Sequence, residues 1–228
     1  LRHFYIAYRA AVRAKVDCVR HAQGSAEAAG SAQAHLEIAR AHLREATVRL
    51  IVVGGGPGTG KTTLARGLAA HTGGRVISTD DVRSAMVARG EIAGRPGVLG
   101  QGLYSRENIE AVYDTVLRQA HSGLCEGHTV ILDGTWTDPD YRERARRLAA
   151  ESAVPIVELV CAAPLDATVS RIRTRTATTS QVTGEIATAL ADHAGGGQVG
   201  WPGAQRIDTT RELAESVAEA LDICRTAC

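Results

Sequence analysis

Between Val48 and Ala65 the chain reads VRLIVVGGGPGTGKTTLA: a β-branched run, a glycine cluster and the start of a helical pattern. Few folds admit that succession. Gly55, Gly60, Lys61 and Thr62 satisfy G-x-x-x-x-G-K-[ST], in the strand-to-helix setting that the motif requires. A loop of Gly55, Gly56, Pro57, Gly58, Thr59 and Gly60 folds back so that its N–H groups face a phosphate. The helix opening at Lys61, Thr62 and Thr63 adds its positive dipole end. Lys61 is expected to reach the β- and γ-phosphate oxygens, and the Thr62 hydroxyl to fill one Mg²⁺ position. A guanine-reading Asn-Lys-x-Asp element is excluded, because the single asparagine, Asn108, precedes Ile109. ATP is the expected nucleotide.

Downstream of the glycines, apolar runs alternate with helical patterns. Strands are expected at 48–54, 75–79, 128–133, 155–162 and 205–209, and helices at 61–71, 107–123, 139–152, 164–176 and 210–223. Five strands separated by helices imply an α/β fold, a parallel sheet covered on both faces. Right-handed crossovers then gather the functional loops at the carboxyl ends of the strands. The first 47 residues differ. Phe4, Tyr8, Val12, Val16 and Val19 recur at helical spacing, and after the Gly24–Gly30 break Leu36, Ala39 and Leu43 do so again. This predicts an antiparallel helical pair with one face of each helix in need of a partner. Since the pattern is already running at Leu1, the expected partner surface lies upstream.

Three constellations fall at expected strand ends. STDDVR (78–83) puts Asp80 where a carboxylate can act as base for an attacking hydroxyl, although Asp80 and Asp81 also suit a helix N-cap. VILDG (130–134) puts Asp133 beside the cradle, as a Mg²⁺ ligand or as a turn aspartate before Gly134. In SRIRTRTATTS (170–180), Arg171 and Arg175 share a helix face. They are either lid cations for a transferring phosphoryl group or a solvated basic face. RERARR (142–147) reads as a solvated face, with Arg142 nearest the site. The Gly-rich stretch 90–108, within an acceptor region of about 84–108, is too long for mere linkage. Arg95, Tyr104 and Arg106 are its candidate acceptor contacts, and equally suit plain surface.

A net charge of +1 gives no global footprint of a polyanion binder, so a nucleic-acid partner is not favoured. The five cysteines form no CxxC pair, which points to reduced thiols and a cytoplasmic setting. Cys125 and Cys161 are expected in packed apolar surroundings, and Cys224 and Cys228 at a frayed helix end. No apolar run approaches the roughly 18 residues that span a bilayer, so no membrane association is expected.

GGPGTGKTT, STDDVR, VILDGTW, the arginines of 171–175 and RIDTT together resemble the P-loop kinases of the AAA_33 or "ATP-binding protein" type. These are relatives of gluconate kinase, of the chloramphenicol and zeta-toxin phosphotransferases and of phage polynucleotide 5′-kinase. The resemblance implies a P-loop NTPase three-layer sandwich with sheet order 2-3-1-4-5, Asp80 as general base, Arg83 as an acceptor-side contact and a lid over about 168–184. The family's acceptors range from sugars to nucleic acid ends, and the primary reading of this chain is ATP- and Mg²⁺-dependent transfer of a γ-phosphoryl group to a hydroxyl of a small molecule. Polynucleotide 5′-hydroxyl phosphorylation and a nucleotide-binding regulatory module are the alternatives. Family members often carry Ser-Asp-Ala after the lid, where this chain has Ser180, Gln181 and Val182. HFYIAYRAAVRAKV resembles the tail of the aminoglycoside-phosphotransferase-like domain that precedes such kinases in two-domain bacterial proteins. Residues 1–47 would then be that tail, and 48–228 the kinase domain.

Overall fold

The computed structural model describes residues 2–95, 101–174 and 201–227. The chain divides into two compact units at Thr47/Val48.

In the first unit, helices α1 (Arg2–Ala22) and α2 (Ala28–Ala46) run antiparallel, as expected. Their contact is not the bulky stripe. Ala7, Ala10 and Ala14 on α1 and Ala28, Ala32 and Ala39 on α2 are buried, whereas Phe4, Tyr8, Val12, Val16 and Val19 are exposed. Small side chains let two backbones approach closely, so the alanine face makes the pair and the bulky face lies opposite it. Polar contacts fix the register: Asp17, itself buried, accepts from Arg20 and pairs with His35 across the interface at 3.0 Å. Nearer the other end His3 and His42 share a hydrogen bond between their Nδ1 atoms at 2.9 Å.

The second unit holds five strands: β1 (Leu50–Gly54), β2 (Arg75–Ser78), β3 (Val130–Asp133), β4 (Ile156–Ala162) and β5 (Gln205–Asp208). They form one parallel sheet in the expected order β2-β3-β1-β4-β5. Helices α3 (Lys61–Thr72), α4 (Thr79–Ala88), α5 (Arg106–Cys125), α6 (Pro139–Glu151), α7 (Leu165–Thr174) and α8 (Leu213–Thr226) complete it among the described residues. Two cores follow from the strand period of two. Leu50, Val52, Val130 and Leu132 pack one face with Val82, Met86, Val112, Val116 and Leu148 from α4, α5 and α6. Ile51, Val53, Ile131, Leu159 and Ile207 pack the other with Leu64, Leu68, Val217 and Cys224 from α3 and α8.

Several details differ from the sequence reading. Helix α4 was not foreseen as an element: it begins directly after β2 with Ser78 as N-cap, so Asp80 and Asp81 lie in its first turn, not at the cap. Helix α8 begins at Leu213, because Asp208 accepts from the Thr210 N–H and hydroxyl and holds the preceding residues in a turn. Cys125 is exposed, being the last residue of α5, while Cys224 is core and not a frayed end. Cys228 lies outside the described residues. No helix among the described residues is long and apolar enough to cross a membrane.

The register puts Val53 level with Asp133, and Asp133 level with Ser78. The loops that leave β1, β2 and β3 therefore start from one edge. Gly54, the last residue of β1, lies under the buried Trp201 ring: a Cβ there would stand 2.2 Å from Trp201 Cζ3. Gly54→Ala should cost about 1–3 kcal/mol through overpacking. Urea unfolding followed by tryptophan emission tests this, and an unchanged midpoint would refute it.

Candidate active site

The loop after β1 is shaped by three left-handed glycines, Gly55 (φ +137°), Gly58 (+75°) and Gly60 (+87°). Two of them also have no room for a side chain. A Cβ on Gly55 would lie 2.7 Å from Cys161 O, and one on Gly58 2.6 Å from Thr168 O. Gly60 occupies the N-cap of α3 and offers no side chain to its first-turn N–H groups. Those donors are therefore available to an anion at the helix start. Within the loop, the Thr59 hydroxyl and the Lys61 ammonium both donate to Gly56 O at 2.8 Å. Pro57 fixes the turn between the limbs, and Thr63 is exposed on the first turn of α3. Cys161 lies beneath the loop, its thiol pushed up to about 12 by burial. It is a packing group and not a nucleophile.

The Thr62 hydroxyl donates to Asp133 Oδ2 at 2.7 Å, so the motif threonine and the β3 carboxylate meet at the cradle's base. Burial raises the Asp133 carboxyl above its ordinary value; the Thr62 hydrogen bond and the Lys61 charge oppose this, and Asp80 and Asp81 reinforce it. These two hard oxygens fit Mg²⁺, which keeps several waters and takes one or two protein ligands beside substrate phosphates. Among the described residues no cluster of three or more His, Cys, Asp or Glu forms an all-protein cage. The donor set suits a cation that arrives with a nucleotide.

At the end of β2, Asp80 Oδ1 accepts from Arg83 Nη1 at 2.9 Å. Arg83 is buried, with its guanidinium 4.6 Å from the Tyr104 ring centroid. Burial raises the Tyr104 phenol, and the Arg83 charge opposes the shift. The structure thus brings Asp80, Arg83 and Tyr104 together. Arg95 and Arg106 are exposed. Arg95 contributes its carbonyl, which accepts from Leu103 N–H at 3.3 Å. Asn108 closes the same loop by donating from Nδ2 to Ala93 O (3.1 Å) and Gly102 O (2.8 Å). Residues 96–100 lie outside the described residues.

Arg171 on α7 reaches the cradle's outer side. Its Nη2 donates to Thr209 O at 2.6 Å, and its Nη1 lies 3.4 Å from Gly58 O and from Thr209 Oγ1. Arg175, the rest of the lid and Ser180, Gln181 and Val182 lie outside the described residues.

Two groups escaped the sequence reading. Thr209, just past β5, stood in plain view at a strand end, the position where this fold gathers function. The other is Trp136 with its supports. It is buried at φ +52°, a conformation costly for a bulky residue. Its N–H donates to the Tyr113 hydroxyl at 3.3 Å, and its carbonyl accepts from Arg142 at 2.8 Å. The preceding carbonyl, Thr135 O, accepts the Gly55 N–H at 3.3 Å. Arg142 is accordingly buried and structural, which corrects the solvated reading of that residue. No sequence pattern announces a left-handed tryptophan.

The sequence profile of the AAA_33 family, described as an AAA domain, matches residues 50–194. The uncharacterized protein Rv2004c of Mycobacterium tuberculosis is 55% identical over 227 residues, which cover 100% of this chain and 45% of that protein. The uncharacterized protein Mb2027c of Mycobacterium bovis matches with the same figures. The chain thus spans less than half the length of these relatives. Among solved structures, APS kinase CysC of M. tuberculosis, in complex with AMPPNP and APS, superposes with TM-score 0.57 at 18% identity, over 79% of this chain and 99% of that one. A sugar kinase from Janibacter sp. gives 0.55 at 20%, over 77% and 93%. A gluconokinase from Sinorhizobium meliloti gives 0.53 at 18%, over 79% and 93%. What these structures share with the chain is the P-loop kinase fold.

The raised Asp133 carboxyl makes a pH prediction. The folded chain keeps this proton at pH values where the unfolded chain has released it. The stability so contributed is complete below the ordinary value of 3.8 and is lost as pH rises through the raised folded value. At neutral pH the buried carboxylate is a cost to the nucleotide-free protein. Asp133→Asn should therefore raise the thermal midpoint of the nucleotide-free chain at pH 7. A lower midpoint would contradict this.

Proposed function

The chain belongs to the AAA_33 family of AAA domains, and from that premise we propose that it is an ATP- and Mg²⁺-dependent kinase acting on a hydroxyl of a small molecule. The observation that carries the reading is the pairing of two carboxylate sites on one sheet edge. Asp133 is joined to the P-loop threonine, and Asp80 is joined to a buried arginine two strands from the cradle. A site that only held nucleotide has no need of the second; a hydrolase could use it on water, and what favours a larger acceptor is the buried Arg83, with Tyr104, gathered beside Asp80. The APS kinase and gluconokinase structures that share the fold support an acceptor of modest size.

In this mechanism the loop N–H groups and Lys61 hold the β- and γ-phosphates. Bound Mg²⁺ would neutralise charge on the phosphate oxygens, with Thr62 and Asp133 as the residues that hold it. Arg83 orients Asp80 through Oδ1. The acceptor hydroxyl attacks the γ-phosphorus as its proton passes to Asp80, the bond from the γ-phosphorus to the bridging oxygen breaks, and ADP leaves. Lys61 offsets the spreading negative charge, with Arg175 as a lid cation; Arg171 would join them only by leaving Thr209 and Gly58, to which it donates from the cradle's outer side. Tyr104 and Arg83 line the acceptor side, with Arg95 and Arg106 at its rim. Residues 1–47 we assign to a preceding phosphotransferase-like domain, a reading supported by relatives more than twice as long as this chain.

Acceptor-stimulated ADP release, screened over sugars, aminoglycosides, nucleosides and 5′-hydroxyl oligonucleotides, is the decisive assay. A small-molecule acceptor should stimulate release with a KM that salt leaves nearly unchanged, whereas a polynucleotide would show a steep rise. Asp80→Asn should lower kcat by about 10²–10⁴-fold with the KM for ATP retained. Full stimulated activity in that variant would remove the base from the mechanism.

A further inference from the structure

We propose that Thr209 is a positioning residue for the phosphate cradle, holding its outer limb in the conformation that presents N–H groups to the nucleotide. This rests on the nucleotide-binding reading above and adds to it a residue with no place in the P-loop motif.

Three segments meet at Thr209. Its N–H donates to Ala162 O at the end of β4, at 3.1 Å. Its hydroxyl donates to Thr59 O in the cradle at 2.7 Å, with Ala162 O at 3.2 Å as an alternative acceptor. Its carbonyl takes the short hydrogen bond from Arg171 on α7, whose other terminal nitrogen reaches Gly58 O. Two consecutive carbonyls of the outer limb, Gly58 O and Thr59 O, are therefore tied outward by one assembly.

That matters because a trans peptide points its C=O and N–H in opposite directions. Drawing Thr59 O toward Thr209 turns the Gly60 N–H to the opposite side of the limb. Gly60, at φ +87°, gives this peptide little conformational restraint of its own, so the restraint must come from outside. A hydroxyl suits the position: it donates to Thr59 O and also offers a lone pair to Arg171 Nη1 at 3.4 Å. Thr209 also stands close beside Gly60: a Cβ added to that glycine would lie 3.4 Å from Thr209 Cβ, so the two residues are neighbours in space. The β5 end is thereby coupled to both Arg171 and the loop.

The test is calorimetric titration of the full chain with Mg²⁺-AMPPNP, which needs no acceptor, beside thermal unfolding without nucleotide. Thr209→Val keeps the shape and removes the hydroxyl. It should weaken binding roughly tenfold, because the Thr59–Gly60 peptide is no longer held in its binding orientation, and it should also lower the unfolding midpoint by a few degrees, since the Thr59 carbonyl loses a donor it has without nucleotide. Thr209→Ser should restore affinity to within about twofold of the original. Should the valine variant fail to fold, Thr209→Ala replaces it against the same serine control. Binding by the variant within about twofold of the unaltered chain overturns the proposal, as does a serine variant as weak as the valine one. Failure of the unaltered chain to bind Mg²⁺-AMPPNP overturns the nucleotide reading itself, and this inference with it.

Discussion

The constraint on which the second unit depends is the left-handed backbone at Gly55, Gly58 and Gly60. Side chains rarely adopt those angles, and at Gly55 and Gly58 the surrounding carbonyls leave no space for one. Such a loop has few restraints of its own, so its conformation is imposed by neighbours. Thr135 O holds the entry limb at Gly55, while Arg171 and Thr209 hold the exit limb at Gly58 and Thr59. Each support sits just past the carboxyl end of another strand or on the helix beside it. The parallel sheet is thus the scaffold of the cradle as well as its neighbour.

Much of this was legible in the sequence, for a physical reason. A parallel strand buried on both faces reads as an apolar run, and LIVVG and VILD stand out as such; IVELVCA, which alternates buried and half-buried positions around Glu158, is still apolar enough to read as a strand. The meeting of Thr62 with Asp133 then follows from strand ends lying on one edge, whereas the order of the sheet was legible only through the family resemblance. Helix α4 was harder to read, because it starts with no intervening turn after β2 and its first residues, Thr79, Asp80 and Asp81, look like a strand-end loop. The left-handed Trp136 is invisible in sequence, since its conformation is imposed by Tyr113 and Arg142 from two different helices.

The helical pair shows the opposite failure. The bulky residues at helical spacing drew attention to a face that does not make the pair, while the alanines that do are among the chain's plainest residues. Periodicity identifies a helix and its apolar side, but it does not say which side meets which neighbour. Close approach of two backbones is decided by what is small, and the buried Asp17, paired with His35 at 3.0 Å, ties the two helices at one point along their length.

The distribution of basic residues follows the same logic of geometry over charge. Lys15 and Lys61 are the only lysines in the chain, and the basic groups that shape the second unit's interior are arginines. Arg142 bonds two successive carbonyls, Trp136 O and Thr137 O; Arg83 joins Asp80 and stacks on Tyr104; Arg171 spans Gly58 and Thr209. A rigid planar fork suits each of these, because it fixes the direction of several acceptors at once. Lys61 has the contrary task. Its single ammonium, resting on Gly56 O, is a compact charge on a flexible stem, with rotatable donors in place of a fixed fork. An arginine at position 61 would fix one geometry, whereas the proposed transfer of a phosphoryl group calls for a charge that can follow it.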